Sequence, residues 1–178
     1  MEELKSFKTL LEPDGRWANF VQINSATNEL TPVTLNDRYQ SIAEIALSTA
    51  APEEIKSQFN IALMLGVYAW LYYPLHQVAE LKVFSTVERA LHLRFPEATG
   101  TFNRLLLFAV ESGVIVDDGF SHIQASDEDP TRYSKTLPSV IGFLRNELAH
   151  GSSTLHPDSL FTLRNCAEII NQLFREAA

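Results

Sequence analysis

PEEIKSQFNIALMLGVYAWLYYPLHQVAELKVFSTVERALHLR, residues 52–94, is the stretch on which the fold turns. Apolar side chains recur at helical spacing from Ile55 through Phe59, Leu63 and Trp70, and resume at Leu81, Phe84, Val87 and Leu91. Pro52, followed by Glu53 and Glu54, suits a first helical turn, where a missing amide hydrogen costs nothing and carboxylates meet the positive end of the helix dipole. Pro74 lies between the two apolar runs; it lacks an amide hydrogen and crowds the preceding turn, so it kinks or splits the rod there. The run from Ile61 to Leu75 carries no charge, yet it is shorter than the roughly 20 residues a bilayer crossing needs. It also holds Gly66 and Pro74, so a buried helix is expected and a membrane span is not.

Downstream, Arg94 to Gly100 reads as a connector, and a second helix is expected to start at Thr101, carry Leu105, Leu106 and Phe108, and end near Gly113. Periodicity is lost from Asp117 to Lys135, around Asp127-Glu128-Asp129-Pro130; a connection of that length is expected to be mobile or functional. A further helix is expected from Leu137 to His150, with Val140, Ile141, Leu144 and Leu148 as its inward stripe and Gly151 to stop it. Asp158 is placed to cap a last helix with the stripe Leu160, Leu163, Ala167, Ile170 and Phe174.

Upstream, Thr34 suits the N-cap of a helix from Leu35 to about Leu47, with Leu35, Tyr39, Ile42 and Ala46 at helical spacing. Residues 1–33 hold the turn signal Pro13-Asp14-Gly15 and then Trp17, Phe20, Val21 and Ile23, which fit a strand or an irregular arm. Trp17 and Trp70 read as packing residues. The expected fold class is all-α: an N-terminal extension over 1–52, with one helix at 35–47 and otherwise open structure, and a bundle of four to five helices over 53–178.

The 178-residue chain is long enough to bury about 70 % of the surface its unfolded form exposes. Its one cysteine, Cys166, cannot form an internal bridge, and the first residues lack the basic and apolar regions of a secretory signal, so a cytoplasmic protein is expected. A net charge of −8 argues against a broad footprint on nucleic acid while leaving room for a small local basic site. No glycine-rich phosphate loop is present, and no Ser or Cys nucleophile has a base nearby in sequence. His76 and Glu80, four residues apart, can ligate a metal, but no third ligand follows at a recognisable spacing; a helix-surface ion pair is expected instead, with neither metal nor cofactor.

The polar group best placed for chemistry is Leu144-Arg145-Asn146-Glu147-Leu148-Ala149-His150-Gly151. Asn146 and His150 share a helix face, so the amide can hydrogen-bond the imidazole and fix its tautomer. Arg145 lies about 100° from Asn146 and must curl to reach the same ligand. One helix makes an incomplete site; two copies across a symmetric dimer bring two Arg and two His side chains together without a metal. The same residues also suit an ordinary solvated helix end, its histidine beside the last carbonyls. Arg89 and Arg94, with Glu88, can extend a phosphate-binding surface beside Arg145 or simply form a solvated face.

Arg145-Asn146-x-x-x-His150 resembles the Arg-x4–6-His signature of the HEPN superfamily, including its preference for a polar residue directly after the arginine. The motif also falls late on a penultimate helix, after a long helix and a shorter partner, as in that family's four-to-five-helix bundle. The resemblance covers roughly residues 53–178 and implies a metal-independent endoribonuclease that acts as a homodimer on single-stranded RNA, in toxin–antitoxin or phage-defence settings, with an antitoxin or nucleotidyltransferase as partner. It further implies that His150 moves protons while a ribose 2′-hydroxyl attacks the neighbouring phosphate, that Arg145 stabilises the phosphoryl oxygens, and that Asn146 orients the imidazole or holds the phosphate. Such chemistry is economical, because the nucleophile is already tethered to its electrophile. The alternative is a non-catalytic HEPN-like module that binds a partner protein, RNA or nucleotide.

Overall fold

Pro74 splits the long apolar stretch into two helices. In the computed structural model, which describes residues 2–24, 26–155 and 158–175, the described residues form α1 (Leu35–Ala43), α2 (Glu53–Tyr68), α3 (Leu75–Arg94), α4 (Phe102–Glu111), α5 (Leu137–Ala149) and α6 (Leu160–Leu173). A small antiparallel sheet, β1 (Val21–Ile23) and β2 (Leu30–Pro32), precedes them, with Val21 opposite Pro32 and Ile23 opposite Leu30. The chain is therefore mostly helical, and no helix among the described residues is long and apolar enough to cross a membrane.

α3 is the centre. It packs against α2, α4, α5 and α6, and Val83, Phe84, Val87, Ala90 and Leu91 are all buried among Ile55, Phe59, Leu105, Leu106, Ile169 and Ile170. Burial of this size makes α3 the least replaceable element; truncating Phe84 to Ala costs about 3–5 kcal/mol. α4 starts from Thr101, as the sequence indicates, and α6 buries Leu163, Ala167 and Ile170 of its stripe. The N-cap of α6 is Ser159 rather than Asp158, whose carboxylate instead accepts from the Leu160 amide at 2.6 Å.

Other sequence expectations also need correcting. The uncharged run 61–75 is not one buried helix: α2 stops at Tyr68, and Ile61, Met64 and Tyr68 are exposed on its outer face. α1 is capped by Thr34 and Asp37 in a reciprocal box but ends at Ala43, and Leu35 and Tyr39 are exposed. Its inward face is Arg38 and Ile42, because the Arg38 guanidinium is drawn under the chain to Asp158 at 2.6 Å and over the Trp17 ring at 5.6 Å. His76 and Glu80 are no surface pair: both are buried, His76 Nδ1 against Ser159 Oγ at 2.8 Å and Glu80 accepting from Thr162 Oγ1 at 2.7 Å.

The N-terminal arm is stapled to the α2–α3 turn. Trp17 is buried, and its indole N–H donates to the Ala69 carbonyl at 3.1 Å. The Asp14 amide donates to Trp70 O at 2.8 Å, and Asp14 Oδ2 accepts from the Tyr73 amide at 3.0 Å. Trp70 is half-buried beside Trp17, with ring centroids 5.2 Å apart. The long segment after α4 is held at both ends: the buried Asp117 carboxylate accepts from the amides of Tyr133 and Ser134, each at 2.9 Å, and from Ser134 Oγ at 2.6 Å.

Candidate functional site

The end of α5 is built to stop sharply. His150 is its C-cap, and Gly151 follows with φ +81, a left-handed conformation that side chains rarely adopt. The Ser152 amide returns to Glu147 O at 3.0 Å and the Gly151 amide to Leu148 O at 3.2 Å, the paired bonds of a glycine-terminated helix. The loop beyond is pinned to α3 by Gln77, whose Nε2 donates to Ser152 O at 3.0 Å and Thr154 O at 2.6 Å. The motif residues therefore sit on a fixed helix end rather than on a loose terminus.

Arg145 turns toward α3 and donates from Nη2 to Glu88 Oε2 at 2.9 Å, each side chain about one-third exposed. Its Nη1 approaches Asn146 Oδ1 at 3.5 Å, a marginal contact. Asn146 and His150 are both exposed, and they share a face as their spacing requires. The expected amide–imidazole hydrogen bond is not made, however: the bond between these residues runs from the His150 backbone amide to the Asn146 carbonyl at 2.9 Å. His150 follows Arg145 by five positions, about 140° around the helix. One chain thus presents the guanidinium beside α3 and the imidazole on the outer surface, and does not close a site by itself.

The outer face has a second property. Val140, placed in the inward stripe by its spacing, is exposed, as is Phe143, which stands seven residues before His150 and so on the same side of α5. Phe161 of α6 is exposed across a groove from Val140. The groove deepens into a largely apolar cavity of about 220 Å³ between α5 and α6, lined by Phe84, Tyr133, Ile141, Leu144 and Cys166 among others. Phe143 falls off the inward stripe in the sequence, and that misfit is the available signal for this face.

The other candidate residues lie elsewhere. Arg89 turns from α3 to the opposite neighbour, α2, where Nε donates to Glu54 at 2.7 Å. Arg94 is exposed and lies against the ring of its neighbour Phe95 at 5.9 Å. The structure brings Arg145 and Asn146 together but does not turn Arg89 toward them. Cys166 is fully buried, and its apolar surroundings, with a contribution from Glu80, push the thiol far above its usual range, which leaves it inert as a nucleophile. Among the described residues no three His, Cys, Asp or Glu side chains are grouped to hold a metal ion. No family model, curated protein or solved structure gives a significant match to the chain.

Proposed function

We propose that the chain is a HEPN-like helical bundle that acts as a metal-independent endoribonuclease on single-stranded RNA, at a cleft shared by two copies. The observation that carries this reading is the surface of α5. An exposed apolar pair, Val140 and Phe143, runs directly into Asn146 and His150, and Arg145 flanks them on the α3 side. Packing two such faces across a two-fold axis covers Phe143 and sets two imidazoles and two amides side by side, with a guanidinium at each edge.

The chemistry then follows from groups that are present. One His150 takes the proton of a ribose 2′-hydroxyl as its oxygen attacks the adjacent phosphorus. The other gives a proton to the departing 5′-oxygen, leaving a 2′,3′-cyclic phosphate and a free 5′-hydroxyl. Arg145 offers its guanidinium to the phosphoryl oxygens as their charge grows, and Asn146 supplies a donor or acceptor to hold the phosphate or the ring. Arg89 and Arg94 are further cations for the RNA backbone away from the reacting bond.

A second reading is favoured by two observations: Glu88 already occupies Arg145, and the chain carries −8 net charge. On that reading the bundle binds a partner protein, RNA or nucleotide without cutting. End-labelled single-stranded RNA incubated with the protein in excess EDTA separates the two. Cleavage to cyclic phosphate ends, lost in both Arg145→Ala and His150→Ala while helicity and thermal unfolding are preserved, supports the enzyme. Intact RNA at high protein concentration, or cutting that survives His150→Ala, rejects it.

A further inference from the structure

The N-terminal arm and the outer face of α2 form a second apolar surface, remote in sequence from the motif. Ile61, Met64 and Tyr68 recur at helical spacing along α2, opposite the buried Ile55, Phe59 and Ala62, and all three are exposed. The arm meets this face at Tyr68 through Leu4 and Leu11, and its Leu4, Phe7 and Leu11 stand almost entirely in solvent, at 99 %, 92 % and 80 % exposure. Between arm and helix lies a groove of about 490 Å³, lined by Leu10, Leu11, Tyr68, Leu71, Tyr72 and Leu75.

The arm is not loose over this groove. Lys5 Nζ donates to Glu12 O at 2.6 Å and to Leu71 O at 3.0 Å, and Asp14 is bonded to Trp70 and Tyr73. These anchors hold the arm at its two ends, so Phe7 and Leu11 stand out as a ridge alongside the groove. From their fractional exposures, Leu4, Phe7, Leu11, Ile61, Met64 and Tyr68 together present on the order of 800 Å², more than the largest patch of a typical monomer, roughly 300–600 Å². That is of the same order as the area a standard stable interface hides on each partner, about 800 Å².

A face that carries both a ridge and a matching hollow is self-complementary, the condition for an isologous pair. We infer that this face binds a second copy of the chain, with Phe7 and Leu11 of each protomer seated in the groove of the other between Tyr68 and Leu75. The surface shares no residue with α5 and does not depend on the reading of Arg145 and His150. With both faces engaged, assembly proceeds past the dimer.

Light scattering across a concentration series tests it on the full chain. The double substitution Phe7→Glu with Leu11→Glu is expected to weaken one association step at least tenfold, whereas Phe143→Glu leaves that step in place. Because the arm side chains are exposed, the double variant should unfold at the temperature of the parent. Independently, mixing a Phe7→Cys protein with a Tyr68→Cys protein under mild oxidation should give a disulfide-linked heterodimer. An unchanged mass in the double variant at every concentration overturns the inference, and so does failure of the two cysteine proteins to cross-link. A groove filled by a co-purifying lipid or a different protein on a chain that never self-associates would overturn it as well.

Discussion

Arg145 of α5 and Glu88 of α3 meet through one hydrogen bond of 2.9 Å, and on the proposed function this pair sets how much positive charge the motif has for a phosphate. The carboxylate holds the guanidinium in place and at the same time competes with any anion for it. A pair this exposed contributes only about 0.2–1 kcal/mol to stability, so removing the charge of Glu88 should leave the fold intact.

Glu88→Gln keeps the shape and a hydrogen-bond acceptor while removing the competing charge. It should therefore tighten binding of short single-stranded RNA by up to about fivefold, the equivalent of roughly 1 kcal/mol. The gain should shrink as salt is raised and vanish in the Glu88→Gln, Arg145→Ala double variant. Fluorescence anisotropy measures both. Weaker binding would mean that Glu88 is needed to aim Arg145 and not merely to occupy it, and unchanged binding would mean that the pair plays no part in holding RNA.

How much of this was legible in the sequence depended on whether the decisive neighbours were local. Pro74, Thr34, Thr101 and Gly151 act within a turn of themselves, and the helix boundaries they imply are found, apart from the early end of α1. Burial of His76 and Glu80 was not legible, because the hydroxyls that bond His76 Nδ1 and the Glu80 carboxylate, those of Ser159 and Thr162, lie 83 and 82 residues away. Arg38 is the same case, with Asp158 120 residues distant. At the motif, spacing alone put Asn146 and His150 on one face. The turn of Arg145 toward Glu88 and the exposure of Val140 depend on how closely α5 approaches α3 and α6, which periodicity does not encode.

The buried His76 makes stability depend on pH. Burial, with the nearby Arg38 guanidinium adding to it, pushes the imidazole down to about 4 from an ordinary value near 6.5. The unfolded chain therefore binds one more proton than the folded one between those values. Stability should be full above about pH 6.5 and fall progressively toward pH 4, by about 3 kcal/mol from this group. His76→Gln, which can still bond Ser159, should flatten the slope in that window. Urea titrations at pH 7, 5.5 and 4.5 provide the check, and equal slopes in both proteins would remove His76 from the account.

Asp117 governs the segment that follows α4. Burial raises its carboxyl, but the bonds from Ser134 Oγ and from the Tyr133 and Ser134 amides outweigh burial and hold it below the usual range. Its contribution is thus present above the ordinary carboxylate pKa and lost as pH falls through the depressed value. Asp117→Ala leaves the two amides and the hydroxyl without their acceptor, at about 1–3 kcal/mol each where water cannot replace it. Limited proteolysis should then cut within residues 120–130 faster than in the parent. Equal cutting would show that the anchor at Asp117 does not control access to the segment.

Gly119 tests the opposite side of the same anchor. A Cβ built there would lie 2.0–2.3 Å from the side-chain amide of Gln172, so any larger residue must push that amide aside. Gln172 is buried, and its Oε1 accepts from the Val116 amide at 2.9 Å, which ties the segment after α4 to α6. Displacing it breaks this bond and leaves the Val116 amide without its acceptor, so Gly119→Ala should destabilise the protein by about 1–3 kcal/mol. The cost should be largely absent in a Gly119→Ala, Gln172→Ala double variant beyond that of Gln172→Ala alone, because the clash has been removed. Chemical denaturation of the four proteins supplies the cycle, and simple additivity of the two substitutions would show that Gly119 is not there to make room for Gln172.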